Sequence, residues 1–407
     1  MALEKDMSLR ERAARVIPHG MYGHQKVSIL PPGTPQFFSR AEGAYLWDAD
    51  GNRYIDFMCA YGPQLFGYCH PEVDAAYIDQ LKKIDVATGP TPLMVDLAEK
   101  FVELVSHADW AMFCKNGTDA TTMALMTARA YRGRKKILLA KGAYHGAANW
   151  CTPIELGVVS EDRAHFIYYT YNDVASLEAA VEEAGDDLAG IFASPFRHDV
   201  FVDQELPDPA YARRARELCD EKDALLIVDE IRAGLRLARD ESWSSIGVSP
   251  DLTSWGKSLA NGHPISAFLG SEKAKEAAGK IYVTGSFWFA GAAMAASLVT
   301  LDLIQKTDYL EHTIKMGERL REGLDSIAKA KSVKIRQSGP AQMPLIMFDD
   351  GEGGVDTAFG YAFCSDLMAQ GIYFHPWHNM FMSAALTEAD IDAALEAADA
   401  ALGRLVG

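Results

Sequence analysis

The amino-acid sequence predicts an α/β fold, in which helices cover both faces of a mostly parallel sheet and a smaller α+β region is attached. Short apolar stretches alternate with helical patterns between residues 93 and 270. Polar residues with reactive side chains directly follow several of these stretches, where open parallel sheets bind ligands. With 407 residues, of which 49% are hydrophobic, the chain is large enough to bury an extensive core.

The first part of the chain is expected to form an N-terminal segment of helix, loop and hairpin over residues 1–70. Residues 8–16 have amphipathic helical spacing, and the Gly- and Pro-rich residues 19–36 predict an irregular loop. Residues 43–57 place apolar runs on both sides of the Asp-Gly-Asn sequence at 50–52, which is a signal for a tight turn. They therefore predict a small β-hairpin.

Strands and helices alternate through the central part of the chain, which is expected to form a large domain over residues 71–300. This alternation indicates β-α units on a parallel sheet. The predicted strands are 110–114, 136–140, 189–194, 224–229 and 266–270, and the predicted helices lie near 93–105, 118–132 and 208–222. A long helix near 290–325, short strands and a closing helix at 387–405 predict a small C-terminal domain over residues 301–407.

The composition narrows the class of partner. The net charge of −17 and the pI of about 5.1 oppose binding to nucleic acid and to anionic membranes, so small-molecule partners are favoured. The N-terminal residues lack the apolar core of a signal peptide, and no stretch approaches the roughly 20 apolar residues of a membrane span. The cysteines have no CxxC spacing and the histidines no metal-ligand spacing. We therefore predict a cytoplasmic protein without a metal.

The sequence Phe-Cys-Lys-Asn-Gly-Thr-Asp-Ala at 113–120 is a candidate anion site. An apolar strand ends at Asn116-Gly117-Thr118 and a helix begins at once, so backbone N–H groups, a glycine and a hydroxyl meet at a helix N-terminus. Such a terminus can bind a phosphate monoester. A plain helix cap at Thr118 explains the same residues equally well.

Asp229 and Lys257 are the candidate catalytic residues. Asp229 follows a nearly continuous apolar run, where a carboxylate can serve a metal or the ring nitrogen of a cofactor. Lys257 lies in Gly-Lys-Ser, but a P-loop would need a glycine where Asp251 stands. Because Lys257 lies among Trp255, Leu259 and small residues, we expect it to be partly desolvated, which lowers its pKa and favours imine formation. An ordinary surface lysine is the alternative.

Tyr144 and His145 follow the predicted strand at 136–140. A tyrosine at this position is suited to stack on a flat cofactor ring. The alternative is a partly buried tyrosine whose hydroxyl is satisfied by hydrogen bonds.

Five passages in order along the chain resemble the class III aminotransferases of fold type I. They are GAYLWDADGNRYIDF, YGPQLFGYCHPEV, FCKNGTDATTMALMTARAYRGRKKILLAKGAYHG, LCDEKDALLIVDEIRAGLR and GVSPDLTSWGKSLANGHPISAFLGS. The resemblance implies pyridoxal 5′-phosphate as the cofactor and a homodimer with shared active sites. It also implies transfer of an amino group from an amine or amino acid to a carbonyl compound.

The same resemblance implies the roles of individual residues. Lys257 would form the internal aldimine with the cofactor, and Asp229 would pair with the protonated ring nitrogen. Tyr144 would stack on one face of the ring, and Ile231 would pack on the other. The phosphate would be bound by Asn116, Gly117 and Thr118, and by Ser286 from the neighbouring subunit.

Within this family the chain is most similar to glutamate-1-semialdehyde aminomutases, yet its substrate-facing positions differ. Lys26 stands where the aminomutases have arginine, and Tyr61 where they have tryptophan. The loop 285–291 is more aromatic, and the passages at 229–236 and 259–267 are similar to aminotransferases whose substrates lack an α-carboxylate. The candidate substrate residues are Lys26, Tyr61, Arg197, Arg232, Trp288 and Phe289.

These departures favour a transaminase. An aminomutase or racemase on the same scaffold is the alternative enzyme, and a noncatalytic protein that binds a phosphorylated ligand is the alternative from another class.

Overall fold

The computed structural model describes residues 2–407 and divides the chain into two units. The large unit comprises Pro71–Asp199 and Glu205–Thr307. The small unit comprises the N-terminal residues through His70, together with Val200–Gln204 and Asp308–Gly407. No helix within residues 2–407 is long and apolar enough to cross a membrane.

Thirteen strands and eleven α-helices make up these units. The strands are β1 (Phe38–Glu42), β2 (Tyr45–Asp48), β3 (Arg53–Asp56), β4 (Trp110–Cys114), β5 (Lys136–Ala140), β6 (Phe166–Tyr169), β7 (Leu188–Ala193), β8 (Leu225–Asp229), β9 (Leu252–Trp255), β10 (Ser266–Gly270), β11 (Ile335–Ser338), β12 (Leu345–Phe348) and β13 (Ile372–Tyr373), counted over the described residues. The helices in the same part of the chain are α1 (Glu4–Val16), α2 (Pro71–Leu81), α3 (Leu93–Leu104), α4 (Gly117–Arg132), α5 (Val174–Ala184), α6 (Pro209–Glu221), α7 (Glu272–Lys280), α8 (Gly291–Lys306), α9 (Tyr309–Ala330), α10 (Thr357–Ala369) and α11 (Glu388–Val406).

The large unit is built on a seven-stranded sheet with the order β4-β10-β9-β8-β7-β5-β6. Strand β10 is antiparallel to both of its neighbours, and the remaining pairs are parallel. The predicted fold class, a mostly parallel α/β sheet, is therefore confirmed. Because β5, β7 and β8 are parallel, their carboxyl ends lie at one edge of the sheet, where the polar residues of the site follow.

Strand β8 explains why helices cover both faces of this sheet. All of its residues are buried, and successive side chains of a strand point to opposite faces. Leu225 and Ile227 belong to one apolar cluster with residues of α4, whereas Leu226 and Val228 belong to another with residues of α5 and α6. The run of apolar residues is thus the signature of a central strand that is covered on both sides.

The small unit joins the two ends of the chain in one sheet with the order β1-β2-β3-β13. Strands β2 and β3 form the predicted hairpin, and Asp48 closes its turn because its Oδ1 accepts from the backbone N–H groups of Asp50 and Asn52. Strand β13 pairs in parallel with β3, with Ile372 opposite Ile55. The smaller α+β region therefore draws on both ends, as the sequence predicts.

The predicted long helix near 290–325 is wrong, because the segment contains two helices, α8 and α9. Thr307 ends α8 in an extended conformation, with φ −116° and ψ 163°, and its N–H donates to Leu303 O at 3.0 Å. Apolar periodicity continues past this residue, so the pattern alone does not reveal the break. The sequence patterns do not predict strands β1, β6 and β9 or helices α2, α5, α7 and α10.

Candidate active site

A cavity of about 140 Å³ lies in the large unit, at the carboxyl edge of its sheet. It is lined by seven residues that the sequence singles out, namely Gly117, Thr118, Tyr144, Asp229, Ile231, Arg232 and Lys257. It is also lined by three residues without a predicted role in binding, namely His145, Gly146 and His198. Side chains that are far apart in the sequence thus meet at one cavity.

Asp229 is the last residue of β8 and only 6% of its surface is exposed. Its Oδ2 lies 2.8 Å from Nδ1 of His145, and its Oδ1 accepts from the backbone N–H of Ile231 at 3.1 Å. Since His145 donates from Nδ1 to a carboxylate, the imidazole fixes the orientation of that carboxylate. This arrangement leaves the remaining lone pairs of Asp229 for a ligand in the cavity.

Lys257 begins a short 3-10 turn over Lys257–Ala260 and has a left-handed backbone, with φ +47°. Non-glycine residues in this region are strained, and such residues concentrate at functional sites. The pKa of Lys257 is lowered to about 8, mainly because burial disfavours its charge. Repulsion from Arg232 and Arg236 lowers the pKa further, and attraction to Asp229 opposes the shift. A minor but substantial fraction of the amine is therefore neutral near physiological pH.

The N-terminus of α4 forms another wall of the cavity. Gly117 and Thr118 are its first two residues, so their backbone N–H groups have no partner within the helix. Thr118 Oγ1 accepts from the N–H of Ala147 at 3.1 Å, and a Cβ added to Gly146 would lie 2.5 Å from that oxygen. The loop after β5 therefore approaches the helix so closely that only glycine fits at 146. Asn116 caps the helix, is exposed and does not line the cavity.

Tyr144 and Ile231 contribute a ring and a branched side chain to the cavity wall. Tyr144 is 40% exposed, and partial burial raises the pKa of its hydroxyl. A Cβ on Gly117 would lie 2.8 Å from Ile231 Cδ1, so the helix terminus packs directly against that side chain. Both residues are able to contact a flat ring.

Arg232 and His198 complete the polar wall. Burial lowers the pKa of Arg232 to about 10, against the attraction of Asp229, Tyr144 and Asp199. Burial also holds the pKa of His198 well below its ordinary value, and repulsion from Arg232, His145 and Lys257 adds to this effect. His198 is therefore a neutral imidazole beside cationic groups.

Four buried polar atoms around Asp229 have no hydrogen-bond partner within residues 2–407. Two of them belong to the cavity-lining His145 and His198, and the other two to Ser194 and Ser254. Ser254 pairs with Asp229 across the sheet, and Ser194 follows the residue that pairs with Val228. A buried polar group without a partner costs about 1–3 kcal/mol, so this concentration indicates a site built around a polar ligand.

These donors fit pyridoxal phosphate. The helix terminus with Thr118 suits a phosphate, the fixed carboxylate of Asp229 suits a protonated ring nitrogen, and the neutral amine of Lys257 suits a carbonyl carbon. All three groups line one cavity, at the edge where open α/β sheets bind ligands.

The other candidate residues do not line this cavity. Arg197 is held by Asp199 at 2.9 Å and by Glu205 at 2.7 Å, so its guanidinium is already paired with two carboxylates. Ser286, Trp288 and Phe289 lie between α7 and α8 in the large unit, and Ser286 is exposed.

Lys26 and Tyr61 belong to the small unit. Tyr61 lies in a left-handed run that starts at Cys59 and continues through Gly62. Its ring packs edge-on against that of His24, with the ring centroids 4.5 Å apart.

Comparisons with known proteins agree with this fold and with pyridoxal phosphate as the cofactor. The structure of the pyridoxal phosphate internal aldimine form of the FumI protein from Sphingopyxis sp. MTA144 superposes with a TM-score of 0.97, at 53% identity, over 99% of this chain and 96% of that one. Fold and cofactor site thus define a fold type I transferase that depends on pyridoxal phosphate. The family model for class III aminotransferases matches residues 31–402, and the chain belongs to that family.

Two curated relatives illustrate the range of the family. The aminopentol aminotransferase of Sphingopyxis macrogoltabida is 54% identical over 402 residues, which are 99% of this chain and 94% of that protein. The glutamate-1-semialdehyde 2,1-aminomutase of Syntrophobacter fumaroxidans is 33% identical in an alignment of 429 positions that covers 100% of this chain and 99% of that protein. The chain is an aminotransferase with small-molecule amine and carbonyl substrates.

Proposed function

We propose that this aminotransferase acts through Lys257 as the lysine that bonds to the cofactor and Asp229 as the partner of its ring nitrogen. One observation carries the proposal: a single cavity brings together a lysine whose pKa is lowered to about 8 and a carboxylate fixed by His145 at 2.8 Å. A reactive amine and an oriented carboxylate are the two protein groups that this chemistry needs.

Bound pyridoxal phosphate supplies a carbonyl carbon that takes up the amino group and a ring that accepts the electrons of a broken C–H bond. Asp229 holds a proton on the ring nitrogen, which makes the ring a better electron acceptor. His145 donates from Nδ1 to Asp229 Oδ2, so the carboxylate cannot rotate away from this position. His145 thus acts on the cofactor through Asp229.

Lys257 performs two tasks with one atom. In its neutral form, Nζ is a nucleophile toward a carbonyl carbon. Once the substrate amine has displaced it, Nζ is the base that takes the proton from the amine-bearing carbon of the substrate. The same Nζ would then deliver that proton to the former carbonyl carbon of the cofactor. Hydrolysis would release the substrate as a carbonyl compound and leave the amino group on the cofactor, and the reverse sequence with a second carbonyl compound would complete the transfer.

The remaining predicted cofactor residues bind and orient. Gly117 and Thr118 offer two backbone N–H groups and a hydroxyl to the phosphate, and Asn116 caps the helix that presents them. Tyr144 and Ile231 are proposed to cover the two faces of the ring. Gly117 packs closely against Ile231, and Gly146 packs closely against Thr118. Both contacts support the proposed phosphate and ring positions, because a larger residue at either glycine would fill the space beside the helix terminus.

We propose a primary amine without an α-carboxylate as the amino donor. The relative at 54% identity is named for an aminopentol. In this chain, two of the candidate residues for binding a carboxylate are poorly suited to that role. Arg197 is already paired with Asp199 and Glu205, and Lys26 lacks the bidentate fork that arginine offers to a carboxylate. Arg232 remains the candidate for contact with the carbonyl compound that accepts the amino group. Tyr61, Trp288 and Phe289 are proposed to select the apolar part of the substrate.

A donor comparison tests this substrate class. Purified enzyme would be given a primary amine and the amino acid that differs from it only by an α-carboxylate, with formation of the aminated cofactor followed by absorbance. We expect kcat/KM to favour the amine by about tenfold or more, since a carboxylate buried without a partner is strongly disfavoured. A preference for the amino acid would contradict the proposed class. Conversion of a substrate without a second carbonyl compound would instead support an aminomutase.

We also propose a cytoplasmic homodimer in which Ser286 of one subunit completes the phosphate site of the other. Tyr282 and Phe287, in the same loop, are 86% and 63% exposed, which is typical of side chains that a partner covers. Mixed dimers of Lys257→Ala and Ser286→Trp subunits should regain part of the activity that each variant alone lacks, because one of their two sites is intact. Absence of any recovery, although mixed dimers form, would contradict shared sites.

A further inference from the structure

His198 lines the cavity, yet none of the roles above uses it. It follows β7 in a loop that is pinned by the bridge between Arg197 and Glu205, and only 7% of its surface is exposed. Its Nδ1 is buried and has no hydrogen-bond partner within residues 2–407. A neutral imidazole carries its proton on one ring nitrogen, and we assign it to Nε2 because the buried Nδ1 has no acceptor within hydrogen-bond distance among the described residues.

The surroundings of His198 indicate what its partner is. Arg232, His145 and Lys257 are the charged or titratable groups that act on its pKa, and all three are basic. The acidic group of the cavity, Asp229, is already bonded to His145. An N–H donor in this positive environment calls for an acceptor atom that carries negative charge.

Pyridoxal phosphate has four polar groups, and three of them have proposed partners. The phosphate is assigned to the N-terminus of α4, the ring nitrogen to Asp229 and the carbonyl carbon to Lys257. The ring oxygen, which is negatively charged when ionised, is the group without a partner. Arg232 is less suited to it because the carboxylates of Asp229 and Asp199 already offset its charge.

We infer that the imidazole of His198 donates a hydrogen bond from Nε2 to the ring oxygen of the bound cofactor. This inference rests on the proposed site. His198 would hold the ring in its plane and stabilise negative charge on that oxygen without adding a charge of its own. Without this donor, negative charge on the ring oxygen is less stable. The absorbance of the substrate-free enzyme changes with pH, and the midpoint of that change therefore moves upward.

The test uses three substitutions, because glutamine places an N–H donor near the position of Nε2, asparagine places one near Nδ1, and alanine places none. For His198→Ala and His198→Asn, without substrate, we expect the pH midpoint to rise by roughly 0.5–1 unit and the cofactor to dissociate about 3- to 10-fold more readily. His198→Gln should keep both properties close to those of the original protein. His107→Gln is the matched control, since His107 is buried at 8% exposure outside the cavity and bonds to Thr253.

Thermal unfolding of the cofactor-free variants shows whether folding is affected. The inference is wrong if all three substitutions keep the original midpoint, or if His198→Gln behaves like His198→Ala while its cofactor-free form unfolds at the original temperature. A separate outcome concerns the proposed site itself. If Lys257→Ala still retains the cofactor covalently after borohydride reduction, the site is wrong; if that bond is lost but the His198 variants are unchanged, only the role of His198 fails.

Discussion

His145 Nδ1 lies 2.8 Å from Asp229 Oδ2, and both side chains are almost completely buried. The pair connects the loop after β5 with the end of β8, two parallel strands separated in the sheet by β7. The position of the carboxylate thus depends on a residue that need not touch the cofactor.

The first prediction concerns this pair. Asp229→Asn should lower kcat about 10³-fold or more, because an amide cannot hold a proton on the ring nitrogen. His145→Ala should lower kcat by roughly 10- to 100-fold, as is usual for residues that orient a ligand. In a double-mutant cycle the two effects should not add, since His145 acts through Asp229. Additive losses in kcat would show that His145 acts independently.

The second prediction concerns Lys257. Replacement by alanine should abolish covalent cofactor attachment and lower kcat about 10³-fold or more, because nucleophile and base are removed together. Borohydride reduction followed by peptide mapping identifies the attachment site. Lys273→Ala is the control, since Lys273 lies outside the cavity and contacts Asp251 and the carbonyl of Ala224. Attachment at any lysine other than Lys257 would contradict the assignment.

The third prediction is a pH dependence. The pKa of Lys257 is lowered to about 8, so in the cofactor-free protein about 9% of the amine is neutral at pH 7, compared with about 0.03% for a pKa of 10.5. Acylation of Lys257 should therefore rise with pH and reach half its maximum near pH 8. Lys275 should react only at higher pH, because the ion pair with Glu272 raises its pKa. Equal midpoints for the two lysines would contradict the lowered pKa.

The fourth prediction tests the neighbour that repels Lys257. Arg232→Gln removes a positive charge that lowers the pKa of Lys257, so the acylation midpoint should move upward, by up to about one unit. Arg213→Gln, at an exposed position of α6, serves as the control for loss of a charge. An unchanged or lowered midpoint in Arg232→Gln would contradict repulsion between Arg232 and Lys257.

The fifth prediction compares two loop glycines, whose φ angles are +127° at Gly146 and +87° at Gly157. Gly146 and Gly157 both have positive φ, but a Cβ would lie 2.5 Å from Thr118 Oγ1 at Gly146 and would meet nothing within 4 Å at Gly157. Gly146→Ala should weaken cofactor binding about tenfold or more, whereas Gly157→Ala should leave it unchanged, because only the first displaces the helix terminus. Titration of cofactor-free protein measures both constants. Equal losses would assign the effect to backbone strain alone.

The sequence predicts the strand ends well, because β5 and β8 are apolar runs that stop at a polar residue. The sequence alone therefore places Asp229 and Tyr144 at one edge of the sheet. His198 could not, because it lies in an irregular loop whose burial depends on the bridge between Arg197 and Glu205. The sequence also does not predict the ion pair between Arg197 and Glu205, because Glu205 does not belong to a periodic pattern. Strand β9 was missed because Thr253 and Ser254 interrupt its apolar character.

The pairing of β3 with β13 has a consequence for synthesis on the ribosome. Ile55 can pair with Ile372 only after roughly 300 further residues have been translated. Contacts between residues so distant in sequence also form slowly. Every strand of the large sheet has been translated by residue 270, well before β13 appears. We expect the large unit to fold during translation, while the N-terminal hairpin remains without its last strand until the chain is nearly complete. In a stalled or truncated chain, the backbone hydrogen-bonding groups along the unpaired edge of β3 should therefore be exposed. We expect chaperones and proteases to act on such a chain.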